Sequence, residues 1–314
     1  MTDDYEDRGA VALIAGPTAC GKSAAALALA RATGGEIVNA DALQVYRDLE
    51  ILSARPDAAS LASARHHLYG HVDAARRYST GAWCADAEAT LNDIAARGRL
   101  AIVVGGTGLY FRALEQGLSS IPVVAPDVRA AAQARLDAVG LAVFRAEIIA
   151  RDPAMARIEA HDRQRHLRAY EVLLATGRPL SAFQSEAGRP VARARWRIVI
   201  EPDRRALYEA IDARFDAMLD EGAMEEAAAL AARRLDPALP AMKAVGLREL
   251  AAVLDGAISL DEARATAKQA SRNYAKRQLT WFRNQMRDWP RAEDPGAAAA
   301  ALYEGFRQAG EIAP

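Results

Sequence analysis

The chain has 314 residues, 51% of them hydrophobic, so it can bury a sizeable core and exceeds the usual length of one domain. The formal net charge of -1 excludes a uniformly basic nucleic-acid binder and leaves any such surface to local clusters. Two cysteines without paired spacing, Cys20 and Cys84, exclude a disulfide framework and a cysteine-built zinc site and fit a reducing, cytoplasmic setting.

In chain order, the acidic, polar start MTDDYEDRGA gives no sign of export, and no later apolar run reaches membrane-spanning length. Val11 to Ala15 is a short apolar run that ends in GPTACGKS, and SAAALALARAT carries helix formers up to Gly34-Gly35. Two further apolar runs follow, Glu36 to Val38 closing on Asn39-Ala40-Asp41, and Leu100 to Val104 closing on Gly105-Gly106-Thr107-Gly108. Between them Thr80 to Arg97 reads as a helix. The alternation predicts an α/β fold with a parallel sheet flanked by helices, whose ligands gather at the carboxyl ends of the strands. After Pro122 and Pro126, residues Asp127 to Gly177 read as helices without a strand. WRIVIE at Trp196 to Glu201 then reads as a strand returning to the sheet, and helices follow from Arg204. The expected organisation is a phosphate-loop core over 1–122, an all-helical insertion over 123–190, and the rest of the core with C-terminal helices over 191–314.

Gly16, Pro17, Thr18, Ala19, Cys20, Gly21, Lys22 and Ser23 fit the pattern G-x-x-x-x-G-K-[ST] in the required strand-to-helix setting. The glycines let backbone N–H groups turn toward phosphate oxygens, the helix start adds its dipole, Lys22 offers a charge, and Ser23 can hold Mg²⁺. The motif suits a di- or triphosphate and leaves open whether that phosphate belongs to ATP. Cys20 reads as a small filler, since no second cysteine is placed to resolve it. Asp41, at the end of the second strand, can hold Mg²⁺ through water, take a proton from a nucleophile, or cap a helix starting at Ala42.

GPTACGKS, DALQVYRDLEI, HHLYGH, VGGTGLYFRAL, HDRQRHLRAYEVLLATGRPLS, RFDAMLDEGAMEEAAAL, MKAVGLREL and SRNYAKRQLTWFRNQ resemble, in order, the successive blocks of the tRNA dimethylallyltransferase family. The likeness runs from about Leu13 to Gln285. It implies a phosphate-loop core with a helical insertion that grips the anticodon stem-loop, and transfer of dimethylallyl from its diphosphate to N6 of the adenine 3′ of the anticodon. The phosphate loop would then take diphosphate in place of ATP. By position, Gly16 to Ser23 resemble the diphosphate cradle, Asp41 the base that receives the N6 proton, Thr107 the hydroxyl that orients the adenine, and Arg214 the arginine on the leaving group. For tRNA contact the likeness points to Asp41, Ala42, Leu43 and Gln44; Arg129; Gln164, Arg165, His166, Leu167 and Arg168; Lys243, Ala244, Val245, Gly246, Leu247 and Arg248; and Lys276, Arg277, Gln278, Leu279, Thr280, Trp281, Phe282 and Arg283. The implied partners are tRNA and dimethylallyl diphosphate, with Mg²⁺ as cofactor and no membrane, for a monomer. Departures are Cys20 and Ala42 where serine is common, LSARPD in place of an IGTAKP-like run, and Leu247 where tyrosine is frequent. His66 and His67 match a block but read as packing residues.

Lys268, Arg272, Lys276, Arg283 and Arg287 fall on one face of a helix advancing about 100° per residue, a basic stripe with Tyr274 and Trp281 turned toward the core. Arg163, Arg165 and Arg168 make a second cluster on the insertion, and two separated clusters suit a curved RNA. A phosphate-loop kinase of a small metabolite or nucleotide would share the fold and first motif. A non-catalytic, ligand-switched RNA-binding protein would leave Asp41 and Thr107 idle.

Overall fold

The structure, a computed structural model, describes residues 10–186 and 188–310. The acidic start of the chain lies outside them. The chain divides into two compact units, one formed by Met1–Glu115 with Val191–Pro314, the other by Gln116–Pro190.

The larger unit begins with β1 (Val11–Ala15), α1 (Lys22–Thr33), β2 (Glu36–Asn39), α2 (Ala58–Ser63), β3 (His66–His67), α3 (Thr80–Ala96), β4 (Ala101–Gly105) and α4 (Gly108–Gln116). The smaller unit holds α5 (Pro126–Arg151), α6 (Arg163–Thr176) and α7 (Leu180–Gln184). The larger unit resumes with β5 (Trp196–Ile200), α8 (Arg204–Asp220), α9 (Ala223–Ala232), α10 (Leu247–Leu254), α11 (Leu260–Gln285), β6 (Arg291–Ala292) and α12 (Pro295–Gln308). Among the described residues the strands form one six-stranded sheet in the order β3-β2-β4-β1-β5-β6, every pair parallel.

The central strands VALIA and AIVVG are wholly buried because helices cover both faces, as a parallel sheet requires. Side chains alternate between the faces. Leu13, Val38, Val103 and Val199 meet Trp83, Tyr110 and Phe111 on one side, while Ile14, Ile37, Ile102 and Ile198 meet Leu29, Leu302 and Phe306 on the other. Local signals set the helix ends. Gly34 closes α1 in the left-handed conformation, and Ser259 with Glu262 forms a capping box at the start of α11. In the smaller unit, Leu136, Phe144, Ile148, Val172 and Phe183 make a separate core, and α5 breaks at Gly140, whose φ is 73°.

Three expectations change. β3 and β6 are strands of two residues each, too short to carry an apolar signature. No helix starts at Ala42: residues 42–45 are turn, so the helix-cap role for Asp41 falls away. α11 ends at Gln285, which leaves Arg287 beyond the helix whose stripe it was to extend. His67 packs as expected, its Nε2 2.6 Å from Glu36 Oε2. Arg97 binds the same carboxylate, and its hydrogen bonds, ahead of those from His67, hold the Glu36 carboxyl below its usual range against the opposing effect of burial. No helix among the described residues is long and apolar enough to cross a membrane.

Candidate active site

β1 delivers the phosphate loop to the middle of the sheet's carboxyl edge. A Cβ on Gly16 would lie 2.5 Å from Cys20 Sγ and 3.0 Å from the Ile200 carbonyl oxygen, so the turn demands glycine. Gly21 caps α1 with φ 82°, the left-handed region that glycine enters without strain. Cys20 is buried beneath Gly16, and burial raises its thiol pKa while Lys22 opposes the shift. It fills space and offers no ready thiolate. Lys22 Nζ donates to the Pro17 carbonyl at 3.2 Å, and Ser23 stands exposed in the first turn of the helix.

β2 and β4, hydrogen-bonded neighbours, bring Asp41 and Thr107 together. Gly105 permits this, because a Cβ there would fall 2.1 Å from the Ala40 carbonyl oxygen. Thr107 N donates to Ala40 O at 3.2 Å, and Thr107 Oγ1 accepts the Ala42 N–H at 2.9 Å, leaving its own hydroxyl hydrogen to donate elsewhere. Asp41 Oδ1 accepts from Leu43 N at 3.0 Å, an Asx turn, while its backbone N–H is held by Asn39 Oδ1 at 2.8 Å. Trp83 locks the strand end through Nε1 to Asn39 O at 2.8 Å.

Arg214 reaches the loop from α8, donating to Thr18 Oγ1. Burial lowers the pKa of its guanidinium, and the opposite charge of Asp41 counters that loss. From α11, Gln278 accepts the Thr18 N–H and donates to Gly106 O, each at 2.9 Å. A cavity of about 510 Å³ beside the loop is lined by Ser23, Arg214, Tyr69, His66 and the apolar Leu27, Ile37, Val104 and Met218. Tyr69, Tyr110 and Tyr274 have phenol pKa values raised first by burial and next by the negative charge of Asp41. Sequence reasoning left these tyrosines and His66 outside the site. The blocks HHLYGH, VGGTGLY and SRNYAK carry all four.

The residues expected at tRNA divide by exposure. Lys243, Arg248, Lys276, Arg277 and Thr280 are exposed, and Ala42, Leu43 and Val245 are half-buried. Lys276, Arg277, Thr280 and Trp281 line a second hollow of about 470 Å³. Trp281 packs against the core as expected and covers Gly108, but it is only half-buried and also faces that hollow. Ala244, Gly246, Leu247, Leu279 and Phe282 are buried, so their side chains serve packing. Gln44 is buried as well and ties down Ser53 O at 3.0 Å and Ala54 O at 2.7 Å. The stripe on α11 is largely neutralised by acids the helix pattern did not reveal: Lys268 pairs with Asp216 at 2.7 Å, Arg272 with Asp212 at 2.5 Å, and Arg283 with Glu201 at 2.6 Å.

In the smaller unit Gln164 and Arg165 are exposed, Arg129, Leu167 and Arg168 half-buried. His166 is fully buried in that unit's core, with Nε2 3.2 Å from Glu159 O, which removes its ring from the surface. Arg163, Arg165 and Arg168 pair with Asp137, Asp162 and Glu171 at 2.8, 3.3 and 3.4 Å.

The sequence pattern of the family described as IPP transferase matches residues 44–285. The chain is 55% identical over 296 residues to the tRNA dimethylallyltransferase of Maricaulis maris, covering 93% of this chain and 96% of that protein. Among solved structures it is similar to the full-length tRNA isopentenylpyrophosphate transferase of Bacillus halodurans, with a TM-score of 0.65, 30% identity and 96% of each chain covered. It is also similar to a eukaryotic dimethylallyltransferase acting on tRNA, with a TM-score of 0.75 and 26% identity over 87% of this chain and 70% of that one. A phosphate loop joined to an acid and a hydroxyl at the next strand ends, in a chain this close to those relatives, makes it a member of the tRNA dimethylallyltransferase, or IPP transferase, family.

Proposed function

We propose that this enzyme transfers the dimethylallyl group from dimethylallyl diphosphate to N6 of the adenine 3′ of the anticodon in tRNA and releases diphosphate. One observation carries the reading beyond a phosphate-loop fold: Thr18 and Gly106 are bound to the same amide, so the leaving-group loop and the Asp41–Thr107 pair share one frame. The allylic C–O bond breaks with its electron pair going to diphosphate, the N6 lone pair forms the new C–N bond, and the N6 proton passes to the Asp41 carboxylate. Thr18 to Ser23, with Lys22 and Arg214, take up the charge of the departing diphosphate. The Thr107 hydroxyl hydrogen is free to hold a ring nitrogen of the adenine in line. An anticodon-loop base is already outside a duplex, which makes its extrusion into a pocket less costly.

The donor set fits Mg²⁺ held by Ser23 Oγ with diphosphate oxygens and water. The ion needs hard oxygen ligands, and Ser23 is exposed at the loop. When bound it supplies further charge neutralisation on the diphosphate. Exposed Lys243, Arg248, Lys276, Arg277 and Thr280, with Gln164, Arg165 and Arg168 of the smaller unit, are the groups assigned to tRNA. A cytoplasmic monomer is part of this reading, and the unpaired thiols of Cys20 and Cys84 support the reducing compartment.

Incubation with labelled dimethylallyl diphosphate, labelled ATP and unmodified tRNA tests the assignment. Prenyl label should appear on a single anticodon-loop adenine, with diphosphate released. Movement of the ATP phosphoryl group to a small acceptor instead, with no prenylated tRNA, would establish a kinase. Arg165→Ala with Arg168→Ala should weaken tRNA binding and flatten its salt dependence, because both guanidinium groups remain open to solvent beside their acids and lie at 3.3 and 3.4 Å from them. Donor binding should stay as it is. An unchanged salt slope in a filter-binding titration removes these two arginines from the RNA surface.

A further inference from the structure

Gln278 was expected among the tRNA contacts, yet its side chain is 6% exposed and turned into the protein. Its amide is fully engaged at both ends. Oε1 accepts the Thr18 N–H and Nε2 donates to the Gly106 carbonyl, each at 2.9 Å. Thr18 also receives Arg214, and Gly106 precedes Thr107, whose hydroxyl holds Ala42 beside Asp41. Gly106 makes room for the contact, since a Cβ there would sit 2.3 Å from Gln278 Nε2. Only a side chain with an acceptor and a donor on one rigid plane can satisfy a backbone N–H on one side and a backbone carbonyl on the other. Asparagine is one methylene too short to reach both, and glutamate has no N–H for the carbonyl.

We infer that Gln278 is a positioning residue for prenyl transfer, an amide spacer that sets the separation between the phosphate loop and the Gly106–Thr107 turn, and with it the separation of the leaving group from the acceptor adenine. The inference rests on the function proposed above. Reacting atoms must be held to within a fraction of an ångström, and a displacement of about 1 Å can cost about 100-fold in rate. An amide bound to both loops fixes such a distance; two loops free to drift do not. Binding of either substrate alone needs only one of the loops, so the loss belongs to the chemical step.

Gln278→Met keeps the length and removes the amide. At saturating substrates, single-turnover transfer should be about 10- to 100-fold slower, while tRNA Kd in a filter-binding titration stays within about twofold of wild type, since no exposed phosphate contact is lost. In a Thr107→Ala background the same substitution should cost less than it does alone, because both changes disturb one turn. A tRNA Kd that rises in step with the rate loss would return Gln278 to the RNA surface. An unchanged rate, or losses that multiply independently, would make the amide a packing feature alone. Should the methionine variant fail to fold, Gln278→Glu carries the same measurements. It keeps the acceptor for Thr18 N and loses the donor to Gly106 O, so the rate should fall while donor KM changes little. A wild-type protein that transfers no prenyl group would overturn the underlying function, a result distinct from any behaviour of the variants.

Discussion

Asp41→Asn is expected to fold, bind both substrates and transfer the prenyl group at least about 100-fold more slowly, the lower end of what positioned acid–base catalysis contributes. The fold should survive because the asparagine carbonyl can take the Leu43 N–H that Asp41 Oδ1 now accepts at 3.0 Å, preserving the Asx turn. What disappears is a group able to receive the N6 proton. Three outcomes separate in single-turnover transfer at saturating substrates across Mg²⁺ concentrations. A rate loss insensitive to Mg²⁺ identifies a base. A loss accompanied by weaker donor affinity and partly restored by added Mg²⁺ identifies a metal role. Near-wild-type turnover reduces Asp41 to its turn.

Arg214→Ala should lower kcat/KM for the prenyl donor by about 100-fold or more, the scale of removing one preorganised donor from a developing negative charge. The guanidinium is half-buried, bound to Thr18 Oγ1 and on the wall of the cavity that also exposes Ser23, so its charge acts where water screens it poorly. Both KM and kcat should move, since the arginine meets diphosphate before and during bond breaking. KM for tRNA should stay near wild type. Wild-type kinetics for the donor would dissociate Arg214 from the leaving group and leave it as a brace for the loop.

The parallel sheet and the phosphate loop were legible in the sequence because their signals are local: VALIA, GPTACGKS and AIVVG each announce burial or a turn within a few residues. Asp41 and Thr107 were legible as the polar endings of neighbouring strands. The arrangement between them was not. The Gln278 amide, the acids that neutralise Lys268 and Arg272, and the tyrosines whose phenols feel the charge of Asp41 depend on residues far apart in the chain, and helical periodicity says which face a residue occupies without saying what covers it. His166 illustrates the point from the other side. It lies between Arg165 and Arg168 in a basic run, yet one residue's rotation along α6 carries it from the surface into the core. The block resemblance points to segments for tRNA but does not sort their exposed members from those that pack.

Pro295, at the start of α12, lies where a side chain on Gly21 would be, 2.9 Å from that Cβ position, and α12 runs along α1. The phosphate loop is therefore buttressed by a helix far from it in the sequence. β1 likewise waits for β4 and β5 to become an interior strand. The phosphate-loop motif is thus written within eight consecutive residues, while the packing that holds its shape comes from segments far along the sequence, so a substitution in α12 that moves Pro295 should be felt at Gly21.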